Sequence, residues 1–194
     1  MSGLLFVISG PSGVGKTTMV HEVVRRLGGE FSVSATTRAR TARERDDVDY
    51  HFVDQATFQR YVDEDRFIEV AQVFGRNWYG TLTAQVTDAL KAGKLIALDI
   101  DVQGAKNVKR RIPHAYAVFI LPPNEDALLA RLHARGREDE AAIERRFEEA
   151  KKEIDFAQTS GVYDAFVVND DLEVAIDQLT DLVRGQLLAA SRNG

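Results

Sequence analysis

The chain has 194 residues, 44% of them apolar and 28% charged, the makeup of an ordinary globular domain large enough to bury a full core. It contains no cysteine, which excludes disulfides, thiolate nucleophiles and cysteine-based metal sites. A net charge of −5 argues against a nucleic-acid-binding face. No apolar run reaches the roughly 20 residues that span a bilayer, and no basic segment with a cleavable apolar stretch opens the chain. The expected setting is cytoplasmic, with neither membrane nor nucleic acid as a partner.

In chain order, Gly3 to Ser9 is a near-continuous apolar run that predicts a parallel strand buried on both faces. A glycine-rich loop follows, then a helix from Lys16 to Leu27 ended by Gly28-Gly29. "FSVSATTR" and "DYHFV" predict short strands, and Asp54 caps a helix over about Gln55 to Val62. "RFIEVAQVFG" alternates as a strand, and a helix runs from about Leu82 to Lys91. Regular alternation then returns, with "KLIALDID" as a strand, "VQGAKNVKRR" as a helix and "AYAVFILPP" as a strand stopped by two prolines. Asn124 caps the helix through "EDALLARLHARG", and a charged helix covers about Glu140 to Gln158. "AFVVND" is a last strand, and Leu172 to about Ala190 closes the chain. This order predicts an α/β fold, a parallel sheet with helices on both faces, interrupted by an insert over roughly 31–85. The core is then 1–30 and 86–194, and the insert lies where a second ligand can be held away from the first.

The loop Gly10-Pro11-Ser12-Gly13-Val14-Gly15-Lys16-Thr17 matches G-x-x-x-x-G-K-[ST] between a strand and a helix. Its glycines let successive N–H groups converge as an anion-binding nest, and the positive end of the helix favours phosphate at the same place. Lys16 is placed to reach the β- and γ-phosphates of a nucleoside triphosphate and the Thr17 hydroxyl to ligate Mg²⁺. No base-reading N-K-x-D of a GTPase is present. The length and the insert point instead to a small-molecule kinase.

The arginines are bunched, at Arg38, Arg40, Arg43 and Arg45 and again at Arg131, Arg135, Arg137, Arg145 and Arg146, which suggests a small polyanionic ligand. The histidines His21, His51, His114 and His133 lack ligand spacing and read as structural or solvated. Asp99 and Asp101, two apart at the end of a buried strand, share a face at the end of the sheet where ligands bind. Nearby Mg²⁺ or nucleotide donors would offset the cost of burying them. Helix capping is the other reading of Asp101.

The segment "SVSATTRARTARERDDVDYHFV", with "FIEVAQVFGRNWYGT", "LDIDVQGAKNVK", "FILPP", "RLHARG" and "VVND" in order, resembles the guanylate kinases over nearly the whole chain. The resemblance implies a P-loop kinase fold with a small α/β acceptor-binding insert and a lid over about 134–146. It implies that Glu69 accepts from guanine N1–H and the exocyclic amine, with Ser34, Thr81 and Asp101 also around the base. Arg38, Tyr50 and Tyr79 then hold the acceptor phosphate, with Gly80 and Asp99 beside them. Arg131, Arg135 and Asn169 join the loop on the ATP side, and Arg38, Arg135, Arg146 and Lys16 neutralise the transferring phosphoryl group. Thr17 is the implied Mg²⁺ ligand, with Asp99 as a second candidate.

Three departures stand out. Thr41 replaces a second phosphate-binding basic residue, with Arg40 or Arg43 as its substitute; Asp47 replaces a glycine; and an extra residue lies near Arg76. The implied activity is Mg²⁺-dependent transfer of the ATP γ-phosphate to GMP or dGMP, giving ADP and GDP, in purine nucleotide metabolism. The alternatives are a kinase of the same fold acting on another phosphorylated acceptor, and a non-catalytic binding module of guanylate-kinase type.

Overall fold

In the computed structural model, which describes residues 3–42, 44–73, 77–134 and 139–192, the first half of the chain runs β1 (Leu4–Ser9), α1 (Lys16–Leu27), β2 (Glu30–Phe31), β3 (Ala35–Thr36), β4 (His51–Phe52), α2 (Gln55–Asp63), β5 (Phe67–Val73), β6 (Asn77–Leu82) and α3 (Thr83–Lys91). It continues β7 (Leu95–Asp99), α4 (Val102–Arg111), β8 (Tyr116–Leu121), α5 (Glu125–Ala134), α6 (Glu140–Thr159), β9 (Ala165–Val168) and α7 (Leu172–Arg192). Among the described residues no helix is long and apolar enough to cross a membrane.

Strand β1 is buried along its whole length at the centre of a five-stranded parallel sheet of order β2-β7-β1-β8-β9. Because side chains alternate across a strand, its continuous apolar run serves two cores. Leu4, Phe6 and Ile8 pack with Val20, Val23, Ile176 and Leu179 of α1 and α7. Leu5 and Val7 pack on the opposite face with Val86, Val102 and Val108 of α3 and α4. The result is three layers, helix on sheet on helix, with the loop after β1 held at the carboxyl end of the central strand.

The insert forms a second sheet of order β4-β3-β6-β5. Strands β5 and β6 form an antiparallel hairpin in which Glu69 faces Thr81 and Ala71 faces Tyr79, and β3 joins β6 with Ala35 opposite Gly80. Ala35, Phe58 and Phe67 form its buried centre, with the Phe58 and Phe67 rings stacked 4.7 Å apart.

The expected short strands are more divided than the sequence pattern indicates. "FSVSATTR" splits between sheets, since Phe31 pairs with Ala97 of the core and Ala35-Thr36 pair within the insert. "DYHFV" contributes only His51–Phe52 to a strand. "NWYGTL" is strand β6, for which local pattern gives no signal, because its conformation is set by pairing with the alternating β5. Asp47 adopts φ of 60°, the left-handed conformation that a glycine there would take freely and that aspartate tolerates better than most residues. Its Oδ1 meets His51 Nδ1 at 2.6 Å.

Gly80 lies directly under the Phe67 ring, where an added Cβ would sit 2.7 Å from Cδ1. Gly80→Ala therefore displaces a ring that is itself stacked on Phe58. The expected loss is about 1–3 kcal/mol, read as a lower urea midpoint with an unchanged slope. An unchanged midpoint would show that the insert is looser than described.

Candidate active site

Helix α1 begins differently from the helices whose starts are closed by a side chain. Asp54, Asp101 and Asp139 each cap a helix by accepting a backbone N–H, and Asn124 does the same for α5. The start of α1 has no side-chain cap; Gly15 stands there at φ of 94°. The main-chain N–H groups of Gly13, Gly15 and Thr17 make no hydrogen bond among the described residues. The loop's carbonyls, by contrast, are engaged. Lys16 Nζ donates to Gly10 O at 2.6 Å and Pro11 O at 3.1 Å. Asn169 Nδ2 donates to Val14 O at 2.8 Å, and a Cβ on Gly15 would lie 2.8 Å from that nitrogen. Ser12 Oγ accepts from Arg146 on α6. Arg131 on α5 donates to Asn169 O at 2.9 Å. What is left open is a set of amide donors at a positive helix end.

A cleft of about 440 Å³ runs from this loop to the insert, lined at one end by Gly13, Lys16 and Thr17 and at the other by Glu69, Tyr50 and Tyr79. Ser34, Asp99 and Asp101 line it between them. At the insert end Glu69 is 5% exposed, and Thr81 Oγ1 donates to its Oε1 at 2.7 Å. Burial pushes the Glu69 carboxyl up to about 7, with the Thr81 hydrogen bond pulling it down and Asp101 adding to the rise. Arg38 Nε donates to the Tyr79 hydroxyl at 3.1 Å, and its guanidinium lies 5.4 Å from the centre of the Tyr50 ring. Burial raises the Tyr50 hydroxyl above the usual phenol range. Gly80 supports this wall from strand β6.

Between the two ends, Thr17 Oγ1 donates to Asp99 Oδ2 at 2.9 Å. Burial raises the Asp99 carboxyl, an effect that Lys16 and Thr17 partly offset. Asp101 Oδ1 accepts from Gly104 N at 2.7 Å, so it is a helix cap as well as part of the cleft wall. Arg43 and Arg135 lie outside the described residues, as does Arg76. Arg40 is exposed.

Two acidic residues not singled out in the sequence belong to this region. Glu153, which periodicity places in a charged helix, lines the cleft, and burial pushes its carboxyl up to about 7 with Lys16 opposing and Glu149 and Asp101 reinforcing. Glu44 grips the Arg38 guanidinium with both oxygens, at 3.0 Å from Nη1 and 2.5 Å from Nη2. No local pattern marks either residue; Glu153 acquires its place from the packing of α6, and Glu44 from the folding of its own loop.

The family profile described as guanylate kinase matches residues 2–186. A guanylate kinase of Chlorobaculum tepidum is 47% identical over 177 residues, covering 90% of this chain and 89% of that protein. One from Chromohalobacter salexigens is 43% identical over 185 residues, with coverage of 95% and 84%. A crystal structure of guanylate kinase from Anaplasma phagocytophilum superposes with a TM-score of 0.76 at 30% identity, covering 96% of this chain and 87% of that one. With an open-ended phosphate loop and an acidic insert wall on one cleft, and relatives of this kind along nearly its whole length, the chain belongs to the guanylate kinase family.

Proposed function

We propose that this protein transfers the γ-phosphoryl group of ATP to GMP or dGMP with Mg²⁺, giving ADP and the nucleoside diphosphate. The observation that carries this reading is the single cleft joining the amide donors after β1 to the buried carboxyl of Glu69. ATP takes the loop from Gly10 to Thr17, with Pro11, Ser12 and Val14 shaping it. Arg131, Arg135 and Asn169 complete that side. Asn169 Oδ1 and Arg131 Nη1 are buried with no hydrogen-bond partner among the described residues, an acceptor and a donor beside the loop whose desolvation a bound nucleotide offsets.

GMP takes the insert wall. Guanine offers N1–H and an exocyclic amine side by side, and the Glu69 carboxylate accepts both. Ser34, Thr81 and Asp101 surround the base, while Arg38, Arg43, Tyr50 and Tyr79 serve the phosphate, with Gly80 and Asp99 at its margin. AMP presents an acceptor at N1 and leaves Glu69 unpaired, a mismatch that buried polar sites reject by orders of magnitude.

The Thr17 hydroxyl and the Asp99 carboxylate place hard oxygen ligands together beside Lys16. This set suits Mg²⁺, which takes one or two protein oxygens and completes its shell with phosphates and water. Thr17 would hold the ion, with Asp99 as a further oxygen; when bound it neutralises developing phosphoryl charge. The acceptor oxygens are already anionic at neutral pH, so the transfer needs no dedicated general base. Its work is alignment and charge: Lys16, Arg38, Arg135 and Arg146 offset the repulsion of two anions brought in line. The insert 31–85 and a lid over about 134–146 close on the core and exclude water.

A coupled ADP-release assay with GMP, AMP, CMP, dTMP and UMP checks the specificity. GMP should be used at least 100-fold better than AMP, on the order expected for a site built on buried donors and acceptors; equal use of AMP would overturn the assignment of Glu69. Lys16→Ala should lose turnover on the order of 100-fold or more while melting normally. The raised Glu69 carboxyl gives a further check with a definite sign. GMP binds the ionised form, so between pH 7 and about 5 its affinity should fall up to tenfold per pH unit, with proton release on binding below pH 7 and none at pH 8. Calorimetry in buffers of different ionisation enthalpy reads that proton, corrected for the phosphate's own titration, and Glu69→Gln should abolish it.

A further inference from the structure

Arg38, which the proposed function gives to the acceptor phosphate, already holds a carboxylate. The Glu44 oxygens hold both terminal nitrogens of Arg38 in the forked geometry that a phosphate uses. The main-chain N–H of Thr41 donates to Glu44 Oε2 at 2.9 Å and its hydroxyl at 2.7 Å. Arg38, then Thr41, hold the Glu44 carboxyl down at about 2, so it is ionised throughout the working range. Around this pair stand Tyr79, which accepts from Arg38 Nε, and Tyr50 and Phe52, whose rings lie 5.4 and 5.6 Å from the guanidinium.

Donor counting shows the consequence. A guanidinium has five N–H donors. Tyr79, the carbonyl of Ala39 and the two Glu44 oxygens take four of them, leaving a single N–H on Nη2. A phosphate needs two parallel donors for bidentate recognition, and it also brings a second negative charge to a cation that Glu44 has already neutralised. The two anions cannot share the fork.

We infer that Glu44 is an internal stand-in for the acceptor phosphate, which GMP must displace from Arg38, and that Glu44 thereby sets the affinity for phosphorylated acceptors. Thr41 retains the carboxylate in this position: where a basic residue would add charge for the phosphate, its hydroxyl and N–H instead bind Glu44. Base recognition at Glu69 is untouched by the exchange, so the effect falls on the phosphate alone. This inference rests on the assignment of Arg38 to the GMP phosphate.

The test is calorimetric binding of GMP and of guanosine, which carries the base without the phosphate, to the full chain and to Glu44→Gln. The neutral amide keeps the shape and removes the competing charge. GMP should bind about tenfold tighter to Glu44→Gln, while guanosine binds equally to both proteins. Thr41→Val, which removes only one donor to Glu44, should shift GMP affinity the same way by two- to threefold, and it decides the matter if Glu44→Gln does not fold. GMP binding that is unchanged or weaker in the folded variants, with guanosine unaffected, would overturn the inference and make Glu44 a support for Arg38. Failure of the unaltered protein to bind GMP more tightly than guanosine would instead overturn the placing of the phosphate at Arg38.

Discussion

Helix α1 starts on backbone alone, and the rest of the site is arranged around that open end. Its N–H donors are available because the loop's carbonyls are occupied from behind, by Lys16 and by Asn169. The loop keeps this arrangement because β1 is buried on both faces and carries it at a fixed height above the sheet. Helices that begin on Asp54, Asp101 or Asp139 satisfy their own ends and have no comparable vacancy for an anion. An apolar strand pattern and a polar binding site are thus two consequences of one stretch of sequence.

The cleft that opens from this loop has amide donors at one end that are free among the described residues, yet is walled in part by Glu69, Asp99, Asp101 and Glu153. These acids direct as much as they repel. On the proposed reading, repulsion by the ionised Glu69 and attraction to Arg38 would orient a phosphorylated acceptor in the cleft. One hairpin carries both determinants: Glu69 pairs with Thr81, and Tyr79, which contacts Arg38, lies two residues along the same strand. That separation is about 7 Å of strand, and the hydrogen-bonded ladder keeps it constant.

Much of this was legible in the sequence where the determining residues are contiguous. The glycine loop, the caps Asp54 and Asn124 and the buried strand β1 depend on neighbours a few positions apart, and the sequence places each where the structure has it, whereas the Asp139 cap has no counterpart in the sequence reading. That Glu69 lies on the cleft wall agrees with the pattern around it. Strand β6 was not legible, since "NWYGTL" takes its conformation from β5. Glu44 and Glu153 were not either, because Glu44 lies in a charged loop without periodicity and Glu153 in a charged helix that reads as solvated. Glu44 finds Arg38 six residues away through a folded loop, and Glu153 reaches the cleft only when α6 packs beside the phosphate loop.

The loop between β3 and β4 carries Thr41 and Asp47 without losing the pairing of the two strands that it joins. Asp47 absorbs a left-handed turn and gains His51 as a partner, while Asp46 Oδ1 accepts from Phe52 N at 3.0 Å and Ala35 and Thr36 stay in register with His51 and Phe52. Thr41 finds Glu44. Thr41, Asp46 and Asp47 thus each find a hydrogen-bond partner within the segment. What is not recovered locally is charge: threonine at 41 carries none, and the Arg38 guanidinium is matched by Glu44. The consequence is electrostatic and lies at the Arg38 end of the hairpin, apart from the Glu69–Thr81 hydrogen bond at the other.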